Sequence, residues 1–290
     1  MIKIVGFYNM SDFYKEVCMC CGQQTLKKRF SFKTTDTYIC KNSCIFSVPK
    51  INTNKLYTPE YFKNYYEELV NEQTKMHQKV IPFLKKYLKT GSVLDYGCGI
   101  GTFLLNLEKE SFKNNVGIDV SEYSISIAES KSSMSNFSTN RDFLETKKFD
   151  CISFIDSVAH IEDINNLLSK LIKDNLIENG IVLIRTPNIN SLYVWYARVI
   201  GYFLPKRFLG SLFFVPNRLF LFNKKSIELF LEKHGLMIEE YYIEPEYKKI
   251  SSNFSNGNYI KSMLVDFFRI TIPSILNKNN SITLIARLKK

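Results

Sequence analysis

The 290-residue chain lacks any uninterrupted apolar run approaching the ~20 residues that a membrane-spanning helix requires. Its first residues also lack the apolar core and the small-residue cleavage site of a signal peptide. These two absences predict a protein that stays in the cytoplasm, where thiols remain reduced. The seven cysteines are therefore expected to be free thiols or metal ligands.

A concentrated basic stripe is also missing, although the formal net charge is +11. The lysines are spread along the chain and no RNA-binding module is recognisable, which argues against specific recognition of nucleic acid. The excess positive charge instead favours an anionic small molecule, a lipid-linked glycan or a membrane surface as the partner. With 45% hydrophobic residues, the chain is long enough for one α/β domain and a smaller appendage.

One segment, residues 93–104, has the pattern of a strand that leads through a glycine-rich turn into a helix (VLDYGCGIGTFL). The dinucleotide-binding fingerprint would place its third glycine at Thr102, and no Gly-Lys-Ser/Thr follows to bind a triphosphate. Asp95, just before the first glycine, suits a ligand with a positive end and no phosphates. S-adenosylmethionine (SAM), with its ammonium and sulfonium groups, is such a ligand. A tight β-to-α turn that merely needs glycine is the alternative interpretation.

A second strand-like segment, residues 116–121 (VGIDVS), also ends in an acid. Asp119 lies 24 positions after Asp95, close to the ~20-residue spacing at which βαβ units bind ribose hydroxyls. Strand-like runs and one helical apolar spacing continue the alternation in the segments 149–155, 163–176, 180–184 and 282–288. This alternation predicts a parallel sheet that binds its ligand beyond the carboxyl ends of its strands.

In the order of its motifs, the chain resembles the class I SAM-dependent methyltransferases, in particular the small-molecule branch that includes quinone-biosynthesis O-methyltransferases and sugar-modifying enzymes. The matching segments are LDYGCGIG, VGIDVS, FDCISFIDSVAHIED, ENGIVLIRTPN, LFLFNKKSIELFLEKHGL and the last strand. The resemblance implies an α/β fold with a Rossmann-like seven-stranded sheet, helices on both faces and an antiparallel last strand. It assigns residues 57–290 to this domain, with a substrate-side cap at 189–222 and an insertion at 247–280.

Carried over residue by residue, the resemblance implies that SAM lies across the first two strand tips. Its methionyl part would contact Asp95, its ribose would bind Asp119, and its methyl-donor end would face Asp156. Asp142 and Phe143 would lie at the adenine, although Asp142 fits a solvated loop acid equally well. The residues expected to bind the cofactor are Asp95, Gly97, Cys98, Gly99, Gly101, Asp119, Val120, Asp142, Phe143 and Asp156.

The resemblance also makes His160 the candidate catalytic base, because imidazole titrates near neutrality and can take a proton from an attacking hydroxyl. Relatives often have an acid directly before this histidine, whereas this chain has Ala159. The alternative is a histidine that holds a turn through a backbone hydrogen bond. Methyl transfer from a sulfonium also needs little help from a base, since positioning supplies much of the rate.

Ahead of the first strand, an apolar stripe predicts a helix that starts near Pro59, with Pro82 expected to break or restart it. In relatives a helix in this place closes over the SAM pocket. Contact of Tyr61 or Tyr65 with the cofactor and simple packing into the core are therefore the two interpretations of this stripe.

Five of the seven cysteines cluster in the predicted N-terminal subdomain, residues 1–56. A Cys-x-x-Cys pair starting at Cys18 and a Cys-x-x-x-Cys pair starting at Cys40 have nearly the spacing of a zinc ribbon. The expected ligands of a structural Zn²⁺ are Cys18, Cys21, Cys40 and Cys44. Cys20 could replace a neighbouring ligand, and free thiols in a small packed subdomain are the alternative.

The predicted cap at 189–222 is rich in aromatic residues with interleaved basic ones. Tyr196 is expected to line an acceptor pocket, and Arg218 to bind a phosphate of a nucleotide-linked sugar through its planar guanidinium. Many relatives have a histidine where this chain has Arg218. An amphipathic patch on an anionic membrane and a packed helical cap without a ligand are the alternatives.

These features predict an enzyme that methylates a hydroxyl of a sugar, nucleotide sugar or glycan intermediate. An O-methyltransferase that acts on a quinone-like or other lipid acceptor, in contact with the inner face of the membrane, is the runner-up. A SAM-binding accessory protein without turnover is the third interpretation, which Ala159 and Arg218 leave open.

Overall fold

In the computed structural model the chain is described over residues 17–23, 26–31, 35–42, 44–49, 59–192, 219–244 and 281–289. A seven-stranded sheet forms the centre of the larger part of the chain. Its strands are β4 (Val93–Tyr96), β5 (Val116–Ile118), β6 (Asn136–Ser138), β7 (Phe149–Ile155), β8 (Leu176–Pro187), β10 (Leu236–Glu244) and β11 (Ser281–Leu288). Their order across the sheet is β10-β11-β8-β7-β4-β5-β6.

The central strands of this sheet run parallel, in the pairs β7–β8, β4–β7, β4–β5 and β5–β6. The last strand, β11, is antiparallel to both β8 and β10. The expected seven-stranded fold with an antiparallel final strand is therefore confirmed. Because the carboxyl ends of the parallel strands meet at one edge, the loops that follow β4, β5, β6 and β7 are brought together there.

Helices cover both faces of the sheet, as expected. They are α1 (Pro59–Lys85), α2 (Thr102–Glu108), α3 (Glu122–Lys131), α4 (Ile164–Asn175) and α5 (Lys224–Lys233). Successive strand residues alternate between two apolar layers, so that Val93 packs with α1, α2 and α3 while Leu94 packs with α4 and α5. Within the described ranges, no helix is both long and apolar enough to cross a membrane.

Side-chain caps begin two of the helices, and Pro82 departs from the sequence expectation. The side chains of Ser121 and Asn223 cap α3 and α5 by accepting backbone N–H bonds. Pro82 lies inside α1, where a break was expected, and the helix continues to Lys85. Pro82 and Gln78 are both exposed, so the carbonyl that loses its helical partner lies on the solvent side, which limits the cost of the proline.

A second, four-stranded antiparallel sheet holds the cysteine-rich segment, in the order β1-β2-β3-β9. Its strands are β1 (Leu26–Ser31), β2 (Thr35–Cys40), β3 (Ile45–Pro49) and β9 (Phe220–Leu221). The fourth strand comes from the segment that the sequence assigns to the cap. The two sheets share one apolar core, in which Phe46 of the small sheet and Phe222 after β9 are both fully buried.

Candidate functional site

The glycine-rich loop after β4 consists of closely spaced left-handed turns. Gly97, Gly99 and Gly101 have φ values of 80°, 53° and 74°, a region in which residues with a Cβ are strained. The amides of Gly97 and Cys98 both donate to the carbonyl of Ile118, at 2.7 and 3.1 Å. The loop is thus folded over the end of β5, with its backbone at the carboxyl edge of the sheet.

Close packing as well as φ requires glycine in this loop. A Cβ at Gly97 would lie 2.4 Å from the Cβ of Ser157, which belongs to the turn after β7. A Cβ at Gly101 would lie 2.8 Å from the ring of Phe137 on β6. The loop therefore contacts the ends of three neighbouring strands, and an added methyl group would displace the backbone that faces the cleft.

Asp95 is a buried carboxylate on β4, directly before the loop. Only 2% of the residue is exposed, and its Oδ1 accepts a hydrogen bond of 2.8 Å from the hydroxyl of Ser153. Burial, together with the nearby negative charge of Asp119, raises the pKa of Asp95 to about 7. A cationic ligand group would favour the ionised form, so this residue suits an ammonium or sulfonium partner.

Asp119 lies at the end of β5 and binds the loop backbone. Its Oδ2 accepts the amide of Gly99 at 2.8 Å, and its Oδ1 accepts the amide of Ser121 at 3.0 Å. Burial raises the pKa of Asp119. Since an ionised carboxylate has about four acceptor positions, these backbone bonds leave capacity to accept a hydrogen bond from a ligand hydroxyl.

Two apolar side chains stand exposed in the connections that follow β5 and β6. Val120, which follows β5, is 70% exposed, and Phe143, in the short 3-10 turn after β6, is 37% exposed. Large exposed apolar side chains are informative when they cluster at a cleft. Val120 and Phe143 follow neighbouring parallel strands and offer apolar surface for a flat base, whereas Asp142 is an exposed acid. The residues present at this corner fit SAM.

Asp156, directly after β7, is the partly exposed member of a charge cluster that the sequence did not predict, and its side chain is 41% exposed. It has a left-handed φ of 58°, and its Oδ2 forms an ion pair with the guanidinium of Arg185 on β8. Arg185 also donates to Glu244 Oε2 at 3.0 Å and to Ser281 Oγ at 3.1 Å. Glu244 is fully buried and accepts a further bond from the hydroxyl of Thr283. The cluster fixes Asp156 at the carboxyl edge, beside the glycine loop.

Arg185 carries the sequence signal that could have revealed this cluster. It is a charged residue within the aliphatic run of β8, where a buried strand normally excludes charge unless it is paired.

His77 of α1 is a second residue that the sequence reading missed. It is buried against the ring of Phe103, and burial, with the nearby charge of Arg185, lowers its pKa to about 3. His77 is therefore a neutral imidazole at the interface between α1 and α2.

His160 lies in a turn formed by residues 157–160, which we call the His160 turn. Its amide donates to the carbonyl of Ser157 at 2.9 Å, and its side chain is half-buried. The carbonyl of Ala159 accepts two amides, from Leu219 at 2.8 Å and from Phe220 at 3.2 Å. The turn is thus placed at the carboxyl edge, directly after Asp156.

The four predicted metal ligands converge in space. The sulfur atoms of Cys18, Cys21, Cys40 and Cys44, which together we call the cysteine cluster, lie within 4.8 Å of one another. Hydrogen bonds with the thiols of Cys20 and Cys44 hold the pKa of Cys18 well below its usual range, because the thiols share protons at short range. Four mostly buried, mutually close sulfurs are the donor set of a structural Zn²⁺ site. The residues therefore fit that metal.

Other predicted positions lie outside the described residues. These are Tyr196 and Arg218 of the cap, the insertion at 247–280, and the side chains of Tyr61 and Tyr65. The bounds of the cap and of the N-terminal subdomain stay predictions.

Comparison with known sequences gives two findings. Residues 67–241 match a family model described as a methyltransferase domain. A protein named as a methyltransferase in Geobacillus sp. (strain WCH70) is 31% identical over 154 residues, which cover 47% of this chain and 59% of that protein. The chain thus spans less than two thirds of the length of this relative.

Solved structures share the fold at low identity. A chain from the complex of the Haloferax volcanii Trm112 methyltransferase activator with a methyltransferase has a TM-score of 0.54 and 11% identity, with 80% of this chain and 97% of that chain covered. A SAM-dependent methyltransferase from Thermotoga maritima has a TM-score of 0.52 and 16% identity, with coverage of 79% and 98%. The magnesium protoporphyrin IX methyltransferase from Synechocystis PCC 6803, solved with bound SAH, has a TM-score of 0.50 and 16% identity, with coverage of 75% and 84%.

Proposed function

Because this chain belongs to the class I SAM-dependent methyltransferases, as its sequence indicated, we propose that it transfers the methyl group of SAM to a hydroxyl of a sugar, nucleotide sugar or glycan intermediate. The observation that carries the methyl-transfer part is the cofactor corner. There, two buried carboxylates, Asp95 and Asp119, flank a left-handed glycine loop beside the exposed side chains of Val120 and Phe143. Charge and shape at this corner match the two ends of SAM.

When bound, SAM supplies a methyl group on a positively charged sulfur. On this proposal Asp95 would bind its ammonium, Asp119 would accept hydrogen bonds from its ribose hydroxyls, and Val120 and Phe143 would offer apolar surface to its adenine. Asp156, held by Arg185, orients the acceptor at the methyl-donor end. Much of the rate enhancement then comes from alignment, because positioning alone can contribute several kcal/mol, roughly 7–11 in well-oriented model reactions.

His160 is proposed to accept the proton of the acceptor hydroxyl. Its turn lies directly after Asp156, and a half-buried imidazole keeps contact with solvent for proton release. A His160→Gln variant tests this role. If His160 is the base, the transfer rate falls by about 10²- to 10⁴-fold while SAH affinity is unchanged, and the loss is smaller at high pH. An unchanged rate assigns His160 to holding the turn.

The acceptor class is proposed from charge, since the chain carries a net charge of +11 without a nucleic-acid-binding stripe. Anionic carbohydrate intermediates fit this charge, and a lipid acceptor at an anionic membrane is the competing proposal. The test is transfer of labelled methyl from SAM into a fractionated cell extract. Label in the nucleotide-sugar or glycan fraction supports the first proposal, and label in the lipid fraction supports the second. SAH binding with no label in any fraction indicates an accessory protein.

The zinc proposal has a test of its own. We propose that the cysteine cluster holds one structural Zn²⁺, because four converging thiols satisfy its tetrahedral coordination. Elemental analysis of protein purified without added metal should give about one zinc per chain. Cys151 is also a fully buried cysteine but lies in β7, so a Cys151→Ala variant serves as the matched control that keeps the metal.

A further inference from the structure

The cysteine cluster is connected directly to β3, an inner strand of the small sheet. Cys40 ends β2 and Cys44 immediately precedes β3, and the amide of Cys40 donates to the carbonyl of Cys44 at 3.1 Å. The two ligands therefore close the turn between β2 and β3. A tetrahedral metal at these sulfurs would fix the start of β3, because both ends of the turn would be bound to the same ion.

The strand β3 in turn positions β9. Ile45 pairs with Leu221 and Phe46 pairs with Phe220, and the amide of Ser47 donates to the carbonyl of Leu219 at 2.7 Å. A strand of two residues makes few hydrogen bonds of its own. Its position depends on its neighbours: β3 pairs with it as a strand, and Phe222, directly after it, accepts the amide of Ile189 at 2.8 Å.

On its other side, β9 binds the His160 turn. Leu219 and Phe220 donate to the carbonyl of Ala159, which is fully buried, at 2.8 and 3.2 Å. Ala159 directly precedes His160. At its start the same turn is attached to the cofactor loop, where the hydroxyl of Ser157 donates to the carbonyl of Tyr96. The turn is thus placed between the glycine loop and a strand that the small sheet holds.

The cofactor corner is anchored differently. The loop amides bind Ile118 and the Asp119 carboxylate, both of which belong to the main sheet or its connections. Loss of order in the small sheet should therefore reach the His160 turn before it reaches the residues that bind the cofactor.

From this path we infer that the cysteine cluster is a positioning element for the His160 turn, acting through β3 and β9. Occupation of the cluster by a metal is required for methyl transfer but not for binding of the cofactor. This inference rests on the proposed function, since it concerns the acceptor side of the same site. It explains why the small sheet takes its fourth strand from the catalytic part of the chain.

The experiment compares Cys44→Ala with the matched variant Cys151→Ala, both at fully buried cysteines. Four measurements are made on the full chain: zinc content, SAH affinity by calorimetry, hydrogen exchange of the peptide that contains residues 157–160, and transfer of labelled methyl into cell extract. Cys44→Ala should lose zinc and methyl transfer, exchange the His160 turn about tenfold faster or more, and bind SAH within about threefold of wild type. Cys151→Ala should match wild type in zinc content and in exchange at the turn.

A second variant breaks the contact between the β9 segment and the His160 turn without changing the metal ligands. Leu219→Pro removes one of the two amides bound to the Ala159 carbonyl and leaves every cysteine in place. It should retain zinc and SAH binding, exchange the His160 turn faster, and lose methyl transfer as Cys44→Ala does.

Several results would overturn the inference. One is a wild-type chain that binds no zinc. Another is a Cys44→Ala variant that loses zinc but keeps both the slow exchange of the His160 turn and the transfer of labelled methyl. A third is equal loss of SAH binding and turn protection, which means general unfolding. If the wild-type protein transfers labelled methyl into no extract fraction, the proposed acceptor chemistry is wrong. Hydrogen exchange and zinc content then still test whether the cysteine cluster positions the His160 turn.

Discussion

Replacement of Asp95 by Asn should stabilise the protein without ligand and weaken its binding of SAH. The reason is the environment of the carboxylate, which is buried, accepts one side-chain hydrogen bond from Ser153 and lies near the charge of Asp119. The rise of its pKa from 3.8 to about 7 corresponds to ~4 kcal/mol of cost for the ionised form. An amide keeps the Ser153 bond but removes that charge, so we expect a gain of about 1–3 kcal/mol at pH 8.

A rise in pH should lower the folding stability of the ligand-free protein and raise its affinity for SAH. A folded-state pKa above the unfolded one means that the folded state binds the proton more tightly, so this group destabilises the protein progressively as pH rises from about 4 to about 7. SAH binding shows the opposite trend, since its ammonium requires the ionised carboxylate. With a pKa of about 7, Asp95 is ~10% ionised at pH 6 and ~90% at pH 8, so SAH affinity should rise about tenfold over this range.

Calorimetric titration with SAH and thermal unfolding, each at several pH values between about 6 and 8, measure both effects. Asp95→Asn should bind SAH at least about tenfold more weakly at pH 8, lose most of the pH dependence, and unfold a few degrees higher. Glu122→Gln, at an exposed acid in the first turn of α3, is the control and should change neither trend. A flat affinity profile in wild type, or destabilisation of Asp95→Asn at pH 8, would refute the assignment of Asp95 to the ligand ammonium.

Three further predictions concern the same edge of the sheet. Gly97→Ala places a methyl group 2.4 Å from the Cβ of Ser157, at a residue with a left-handed φ. It should lower the free energy of unfolding by about 1–3 kcal/mol, measured by chemical denaturation. It should also lower SAH affinity by more than about tenfold, measured by calorimetry. Phe143→Ala should weaken SAH binding by about 1–3 kcal/mol, because the ring is expected to contact the adenine. Met134→Ala, a control at a similarly exposed side chain (44%) before β6, should leave SAH binding unchanged. Equal effects of the two variants would place the adenine elsewhere. Arg185→Gln leaves two carboxylates without their cation and should destabilise the fold by about 3–5 kcal/mol in urea unfolding, a loss that a stabilising change would contradict.

The main sheet was predictable from the sequence because its signals are local. The glycine loop and the acid 24 residues later lie within one βαβ unit, so their spacing alone places both at one edge. The apolar runs that form β7, β8 and β11 also show their burial directly in composition. Pro82 was read wrongly because a proline signals a lost hydrogen bond but not whether the freed carbonyl faces solvent.

The charge cluster and the small sheet were not predictable in the same way. The side chains that surround Arg185 come from β7, β10 and β11, and Glu244 and Ser281 lie 59 and 96 positions away from it. No residue spacing within a short segment can indicate that these distant side chains come together. Similarly, β9 has two residues and pairs with a strand about 175 positions earlier, so neither its length nor its composition marks it as a strand.

Several residues of the site destabilise the ligand-free protein in a way that a bound ligand would relieve. A buried ionisable Asp95, a left-handed Asp156 and an exposed Val120 each cost folding free energy in the ligand-free protein. A cation beside Asp95 and a base over Val120 would remove two of the three costs at once. SAH at about 100 times its dissociation constant should therefore stabilise the protein by ~2.7 kcal/mol, and Asp95→Asn should lose more of this stabilisation at pH 8 than at pH 6.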